Sequence, residues 1–256
     1  MSCRDQREKD DAPMNAQKKA QMNTPTLPPL TPDRSRRAAA WCLVVVVCLA
    51  SAAPLSARTI LLGVEDCDGI AAIDAAAPRL SWAMARSGRQ TYHTGHMALT
   101  EQRSLLMRFD LGRIPPDQRI VHAELVVPVR ERLGSDPRFY AWRLLTDWGA
   151  GVCHLYRFTR RGESDERIPW TEDGARGIGS DRAAAPTDAV RVTSSEASKY
   201  VINVTEDVEL WYEDRAENHG WLFSVEDPEV EVRLASPLWH YRDDWTLRIT
   251  YEPRDE

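Results

Sequence analysis

Short runs of β-branched and aromatic residues, separated by turn-forming residues, recur along the sequence from residue 59 to residue 251. In the longest run, 120–129, every second residue from Val121 to Val127 is apolar. Such alternation is typical of a strand with one buried face. The predicted strands are 59–64, 69–73, 92–99, 104–110, 120–129, 139–145, 199–204, 221–225, 230–235 and 245–251. Many short strands with no regular helices between them predict an all-β fold, an antiparallel sandwich or barrel.

One segment, residues 205–213, departs from the strand pattern. Its apolar residues fall at helical spacing, so that Val208 and Trp211 share one face. This spacing predicts one short helix near 205–213, with Thr205 as its N-cap and Trp211 in the core. By contrast, the stretch 160–198 is rich in Gly, Ser, Asp and Arg, which predicts a long loop with little regular structure.

The first 57 residues differ in composition from the rest of the chain. Residues 1–37 are polar and contain a Pro-rich stretch, which predicts disorder, because such a sequence buries too little apolar area to offset its backbone entropy. Residues 38–57 follow a cluster of three arginines and run from an apolar stretch into small residues. This order is typical of a secretory signal peptide, and the apolar stretch is shorter than the roughly 20 residues that span a bilayer.

The signal peptide predicts a secreted or cell-surface protein, cleaved after Ala52 or Ala57. Two alternatives remain for the long segment before the apolar stretch. Translation can start at Met14 or Met22, or the segment 38–55 can stay uncleaved and anchor the chain in a membrane. In each case residues 58–256 form a single β-sandwich module.

The net charge and the number of cysteines both change when residues 1–57 are removed. Residues 1–57 carry eight basic and five acidic side chains, so the remaining 199 residues have a formal net charge of −9. This acidic balance argues against nucleic acid as a partner. Only Cys67 and Cys153 remain, and in an oxidising compartment they either form a disulfide or stay as two separately buried thiols.

Four motifs follow one another between residues 105 and 251. They are Leu105–Leu111 with Ile114-Pro115 and Ile120–Leu125; Thr146–Gly151 with Trp170–Ala175; Asn203–Thr205 with Val208, Trp211 and Asn218–Leu222; and Leu247–Tyr251. This series resembles the DNRLRE-domain family of secreted bacterial modules, which is related to carbohydrate-binding modules described for alginate. The resemblance implies a jelly-roll-like β-sandwich and binding of a glycan. Asn203 stands where the family usually has aspartate, and the hexapeptide that names the family is absent.

Aromatic residues near strand ends are the main candidates for ligand binding, because sugar rings stack their apolar faces on Trp or Tyr. The candidates are Trp142, Trp148, Trp170, Trp239 and Tyr241. An acidic ligand also needs a guanidinium such as that of Arg143. The alternative for each tryptophan is burial in the sandwich core, to which we assign Trp82, Trp211, Trp221 and Trp245.

No residue set predicts catalysis, and the sequence contains neither a G-x-S-x-G nor an H-E-x-x-H motif. Asp66 and Asp68, beside Gly69, form an acidic turn that can bind a structural calcium ion, although an ordinary acidic turn is the simpler interpretation. No cofactor is expected otherwise.

The sequence is therefore compatible with three functions. The first is an exported, non-catalytic module that binds a polysaccharide or a cell-surface glycan. The second is a structural or adhesive cell-surface protein that binds no sugar, which exposed strand edges or a flat apolar patch would favour. The third is an enzyme acting on polysaccharide, which requires two converging carboxylates in a cleft.

Overall fold

Strands dominate the fold, as the alternating sequence pattern predicts. The computed structural model describes residues 56–84, 96–160, 166–237 and 245–254. The strands are β1 (Arg58–Leu62), β2 (Cys67–Asp74), β3 (Trp82–Met84), β4 (His96–Leu99), β5 (Arg103–Phe109), β6 (Gln118–Leu133), β7 (Arg138–Arg143), β8 (Tyr156–Arg160), β9 (Glu166–Pro169), β10 (Asp188–Arg191), β11 (Ser198–Asn203), β12 (Trp221–Ser224), β13 (Glu231–Ala235) and β14 (Thr246–Pro253). One helix, α1 (Thr205–Tyr212), follows β11.

The described strands form two six-stranded sheets and one two-stranded ribbon. Sheet one has the order β1-β14-β6-β13-β4, and β11 also pairs with β6. Sheet two has the order β10-β7-β12-β5-β2-β3, while β8 pairs with β9. All of these pairings are antiparallel. The predicted all-β antiparallel sandwich is confirmed.

The inner faces of the two sheets meet in one main core. Leu125 of β6 in sheet one, and Leu105 and Met107 of β5 in sheet two, are fully buried there. Trp211, Trp221 and Trp245 also lie in this core, as predicted. The side chain of Trp82 lies outside what the structure describes.

A bulge in β6 changes the predicted inner face of that strand. Thr250 of β14 pairs with His122, whereas the next residue, Tyr251, pairs with Ile120. The extra residue on β6 is Val121, which is 41% exposed, while Ile120 is buried. The predicted inward position of Val121 is therefore wrong, because a bulge turns the side chains before it to the opposite face.

Helix α1 occupies the predicted segment and packs against the main core through Val208 and Trp211. The Trp211 ring lies with its centroid 4.7 Å from that of Trp221. Thr205 is not the N-cap, however. It is the first helical residue, and its hydroxyl accepts a hydrogen bond from the Ala123 backbone N–H at 2.9 Å and so ties the helix to β6.

Sheet two is buried on its outer face as well. Leu106 of β5, Leu222 of β12 and Trp142 of β7 point away from the main core into a second apolar cluster. The other side of this cluster comes from residues 144–160 and 166–182, which we call the cover segment. It contributes Leu144, Trp148, Val152, Trp170 and Ala175. A strand in a sheet that is covered on both faces has a continuous apolar sequence, as Leu105-Leu106-Met107 of β5 does.

The stretch 160–198, which includes the second part of the cover segment, has more regular structure than the sequence predicts. β9 and β10 lie within the stretch 160–198 that was expected to be a loop. Asp181, which is fully buried, organises the turns between these strands by accepting hydrogen bonds from three backbone N–H groups. The donors are Thr171 N at 2.9 Å, Glu172 N at 2.9 Å and Gly177 N at 3.1 Å. One buried carboxylate, together with backbone hydrogen bonds in the turns, thus fixes the connection that follows β9.

The predicted disordered segment 1–37 and the signal segment, up to residue 55, lie outside the described residues. Within the described ranges, no helix combines the length and the apolar character needed to cross a membrane.

Candidate functional site

The predicted binding tryptophans Trp142, Trp148 and Trp170 lie in the second apolar cluster, where none exposes more than 9% of its surface. Their indole N–H groups are satisfied inside the protein at 2.8 to 3.1 Å. The acceptors are Ser224 Oγ, the His219 carbonyl and the Cys153 carbonyl. The prediction that these rings stack on a sugar is therefore corrected, because their faces join the cover segment to sheet two.

The other predicted aromatic residues, Trp239 and Tyr241, lie outside the described residues. Arg143 is described, and it lines a cleft at the end of β7. Two further arginines, Arg176 and Arg182, have partners within the protein. Arg176 donates to the Glu101 carbonyl, and the Arg182 guanidinium lies 3.9 Å from the centre of the Trp142 ring.

The cleft has a volume of about 660 Å³. It lies where the end of β7, the start of β10, the end of β11 and the first turns of α1 meet. Its polar lining residues are Arg143, Thr187, Asp188, Asn203, Thr205, Glu206, Asp207 and Glu209. Alanines 183 and 185 and Pro186 supply its apolar surface. The volume is within the range of about 300–1,000 Å³ that small-molecule sites occupy.

A buried ion pair lies in this cleft. Arg143 Nε is 2.9 Å from Asp207 Oδ1, and Asp207 is only 5% exposed. The second carboxylate oxygen, Oδ2, accepts hydrogen bonds from Thr187 Oγ1 at 2.6 Å and Trp221 Nε1 at 2.8 Å. Both oxygens therefore have partners, so this carboxylate is held in place and is poorly arranged to transfer a proton to a ligand.

Burial is the largest influence on the Asp207 carboxyl and raises its pKa above the ordinary value of 3.8. The hydrogen bonds from Thr187 and Trp221 and the charge of Arg143 act in the opposite direction, and they only partly offset this effect. Arg143 in turn is committed to Asp207 through its Nε. The predicted bidentate donation from Arg143 to a ligand carboxylate therefore competes with an internal partner.

The remaining charges make the cleft acidic. Asp188 Oδ1 accepts from Ala189 N at 2.7 Å, and Asp188 Oδ2 accepts from Asn203 N at 3.2 Å. Glu206 and Glu209 lie on the first turns of α1 and face the same space. The lining thus carries four carboxylates against one guanidinium. Its potential attracts cations and uncharged hydrogen-bond donors and repels polyanions.

Most residues of this cleft could not be recognised as site residues from the sequence around them. Asp207 reads as an acidic residue that complements the helix dipole, and only its burial beside Arg143 gives it another role. Thr187 and Asp188 fall within the stretch expected to be a loop. The hydrogen bond from Thr187 to Asp207 joins that stretch to the helix and depends on tertiary contacts.

The acidic turn at Asp66 and Asp68 holds arginines in place of a metal ion. Asp66 accepts from the Gly63 N–H at 2.9 Å and from Arg113 Nη1 at 2.7 and 2.8 Å. Asp68 Oδ1 accepts from Arg108 Nε at 2.7 Å. The described part of the chain contains no group of three or more His, Cys, Asp or Glu residues that could hold a metal ion. The arrangement matches the simpler interpretation of an ordinary acidic turn, whose carboxylates pair with arginines.

Cys67 and Cys153 are both free thiols, so the disulfide alternative is wrong and the alternative of two separate thiols holds. Cys153 is buried, and Cys67 is partly buried on β2. Burial, aided by the neighbouring carboxylates of Asp68, Asp66 and Glu65, raises the pKa of the Cys67 thiol far above its ordinary value. Cys67 is therefore a poor nucleophile in the folded protein.

The chain was also compared with known proteins. No protein-family model matches it, and no curated protein matches it.

Proposed function

We propose that this protein is an exported, non-catalytic module that binds an uncharged glycan in the cleft between β7, β10, β11 and α1. The observation that carries the proposal is the cleft itself, about 660 Å³ in volume and lined by carboxylates, an amide, hydroxyls and a guanidinium. These groups accept and donate the hydrogen bonds that sugar hydroxyls make. The signal-peptide pattern supports export, and the resemblance to the DNRLRE-domain family supports binding of a glycan, without favouring an uncharged one.

The charge of the cleft narrows the class of glycan. Uronate chains such as alginate carry one carboxylate per residue, and they would meet four carboxylates and a guanidinium that already pairs with Asp207. Like charges in such a site oppose binding. A neutral polysaccharide escapes this repulsion and gains charge-assisted hydrogen bonds from its hydroxyls to Asp188, Glu206 and Glu209.

Calorimetric titration with neutral and uronate hexasaccharides tests the proposal. We expect the neutral ligand to bind and the uronate not to bind. Glu206→Gln keeps the shape of the side chain but replaces a charged acceptor by a neutral one, which should weaken binding roughly tenfold. Glu196→Gln, at the opposite end of β11, is the matched control and should bind as the wild type does. Failure of every neutral hexasaccharide to bind contradicts the proposal.

The structural or adhesive alternative is favoured by one observation. β1 pairs only with β14 among the described strands, and Leu61 on this edge is 55% exposed. A free edge can add a strand from a protein partner. Leu61→Lys would then abolish association with that partner and leave glycan binding unchanged, so the two functions can be separated by one substitution.

A further inference from the structure

A second, smaller groove of about 320 Å³ lies near the start of β7, whereas Arg143 and the cleft lie at the end of that strand. Its walls are two turns, the one between β6 and β7 and the one between β12 and β13. The lining residues are Ser135, Asp136, Arg138, Tyr140, Glu226, Asp227 and Val230. A Cβ on Gly134, whose φ is +96°, would lie 2.5 Å from the Glu229 carbonyl oxygen, so the two turns are in close contact.

Tyr140 gives this groove an aromatic wall. The ring is half-buried and lies against Trp142, with centroids 6.0 Å apart and an angle of 35° between the rings. Within the described residues, the Tyr140 hydroxyl makes no hydrogen bond, whereas the Tyr200 and Tyr212 hydroxyls each bond to backbone groups at 2.6 to 3.0 Å. Tyr140 is therefore fixed by packing on one side and keeps an available polar group on the other.

Glu226 is held in the groove by a chain of hydrogen bonds from the second apolar cluster. Trp142 Nε1 donates to Ser224 Oγ at 3.1 Å, and the Ser224 hydroxyl donates to Glu226 Oε1 at 3.2 Å. Arg182 Nη1 donates to the same oxygen at 3.1 Å, and Arg182 is itself buried against Trp142. This network fixes Glu226 through its Oε1 atom, on the lining of the groove.

Two of the three carboxylates that line the groove are paired with guanidinium groups. Asp136 pairs with Arg138 at 3.1 Å and also with Arg191, while Glu226 pairs with Arg182. Asp227 accepts a hydrogen bond from the Glu229 N–H at 2.9 Å. The lining therefore holds three carboxylates and one guanidinium, that of Arg138, while Arg182 and Arg191 lie outside the lining and neutralise part of this charge. A partly neutralised acidic groove with an aromatic wall suits an uncharged ligand that combines an apolar face with several hydroxyls.

We propose that this groove is a separate subsite for one uncharged pyranose ring, whose apolar face stacks on Tyr140 while its hydroxyls donate to Glu226 and Asp227. The subsite shares with the proposed function only the class of ligand, since none of its lining residues belongs to the cleft. Two subsites on one module would bind a long polysaccharide more tightly than either alone, because the second contact becomes intramolecular.

Titration with neutral hexasaccharides of glucose, xylose and mannose tests this subsite. The wild type should show two classes of site with at least one of these probes. Tyr140→Leu keeps apolar packing against Trp142 but removes the flat ring, and it should weaken one class at least tenfold. Tyr140→Phe keeps the ring and should stay within about threefold of the wild type. Thermal unfolding of each variant confirms that it is folded, and Glu226→Gln provides a second variant that leaves the aromatic packing intact and should weaken the same class about tenfold.

The outcomes separate the two sites. Loss of one class in Tyr140→Leu, with the other class lost only in Glu206→Gln, supports both. Loss of all binding in Tyr140→Leu with no effect of Glu206→Gln supports the subsite and contradicts the cleft. Unchanged binding by both Tyr140→Leu and Glu226→Gln overturns the subsite, as does a wild type that binds none of the probes.

Discussion

Gly220 lies so close to Met107 that a Cβ at position 220 would be 2.2 Å from the Met107 carbonyl oxygen. Gly220 also has a φ of +76°, in the left-handed region. Asn218 sets up this approach, because its amide donates to the Phe109 carbonyl at 2.9 Å and its oxygen accepts from the Gly220 N–H at 3.1 Å. The segment Asn218–Gly220, which precedes β12, is therefore explained by its contact with the backbone of β5 and not by binding of a ligand.

Gly220→Ala should consequently destabilise the protein by at least about 4 kcal/mol or prevent folding, since it combines a strained φ with contact against backbone atoms. Gly179→Ala is the matched control. Gly179 has the same φ of +76°, but nothing lies within 4 Å of its Cβ position. The Gly179→Ala substitution should lower the free energy of unfolding by only about 1–2 kcal/mol. Urea denaturation measures both, and equal losses would contradict the role of close packing at Gly220.

The strands of sheet one were the most predictable part of the fold. Its outer face is open to solvent, so apolar and polar residues alternate in β6 and β14, and the period is visible in the sequence. Helix α1 was equally clear, because Val208 and Trp211 fall one turn apart. The exceptions, such as the bulge at Val121, depend on how two strands pair and have no signature within one strand.

The outer layer on sheet two could not be predicted in the same way. Leu106 and Leu222 read as parts of continuous apolar runs, and such runs do not say what covers their second face. The tryptophans of the cover segment, Trp148 and Trp170, were therefore free to be interpreted as ligand-binding residues. The cleft was equally hard to predict, because the ion pair of Arg143 and Asp207 joins two segments that are distant in the sequence.

Trp148→Ala should destabilise the protein by about 3–5 kcal/mol, as expected for removal of a buried tryptophan. Trp148 is 2% exposed, and the Gly69 Cβ position lies 2.8 Å from the tip of its ring, so the ring fits closely on β2. Urea denaturation gives the free energy of unfolding. A folded Trp148→Ala protein with wild-type stability but weaker glycan binding would instead place this ring in a ligand site.

The two thiols should stay unreactive until the protein unfolds. Burial and the nearby carboxylates raise the pKa of Cys67, so the fraction of thiolate near neutral pH is very small, and alkylation by iodoacetamide should be slow. In residues 58–256, two thiols should react after denaturation without any reductant. Dithiothreitol should leave the free energy of unfolding unchanged. Two thiols that appear only after reduction would show that Cys67 and Cys153 pair.

Asp207 should make the stability of the protein depend on pH in a definable way. Because burial raises its pKa in the folded state above the ordinary value of 3.8, the folded protein binds the proton more readily than the unfolded chain does. The contribution of Asp207 to the free energy of unfolding is therefore greatest below pH 3.8 and is lost as the pH rises through the folded-state pKa.

Asp207→Asn isolates this effect, since asparagine cannot titrate and the altered contact with Arg143 is the same at every pH. The free energy of unfolding of the wild type minus that of the variant should increase as the pH is lowered from 7 towards 4. Guanidinium denaturation at several pH values measures this difference. Glu196→Gln, an exposed and conservative change, should show no such trend. If this difference instead falls on acidification, Arg143, Thr187 and Trp221 outweigh burial and hold the pKa of Asp207 below its ordinary value. The ion pair would then be a net source of stability at neutral pH.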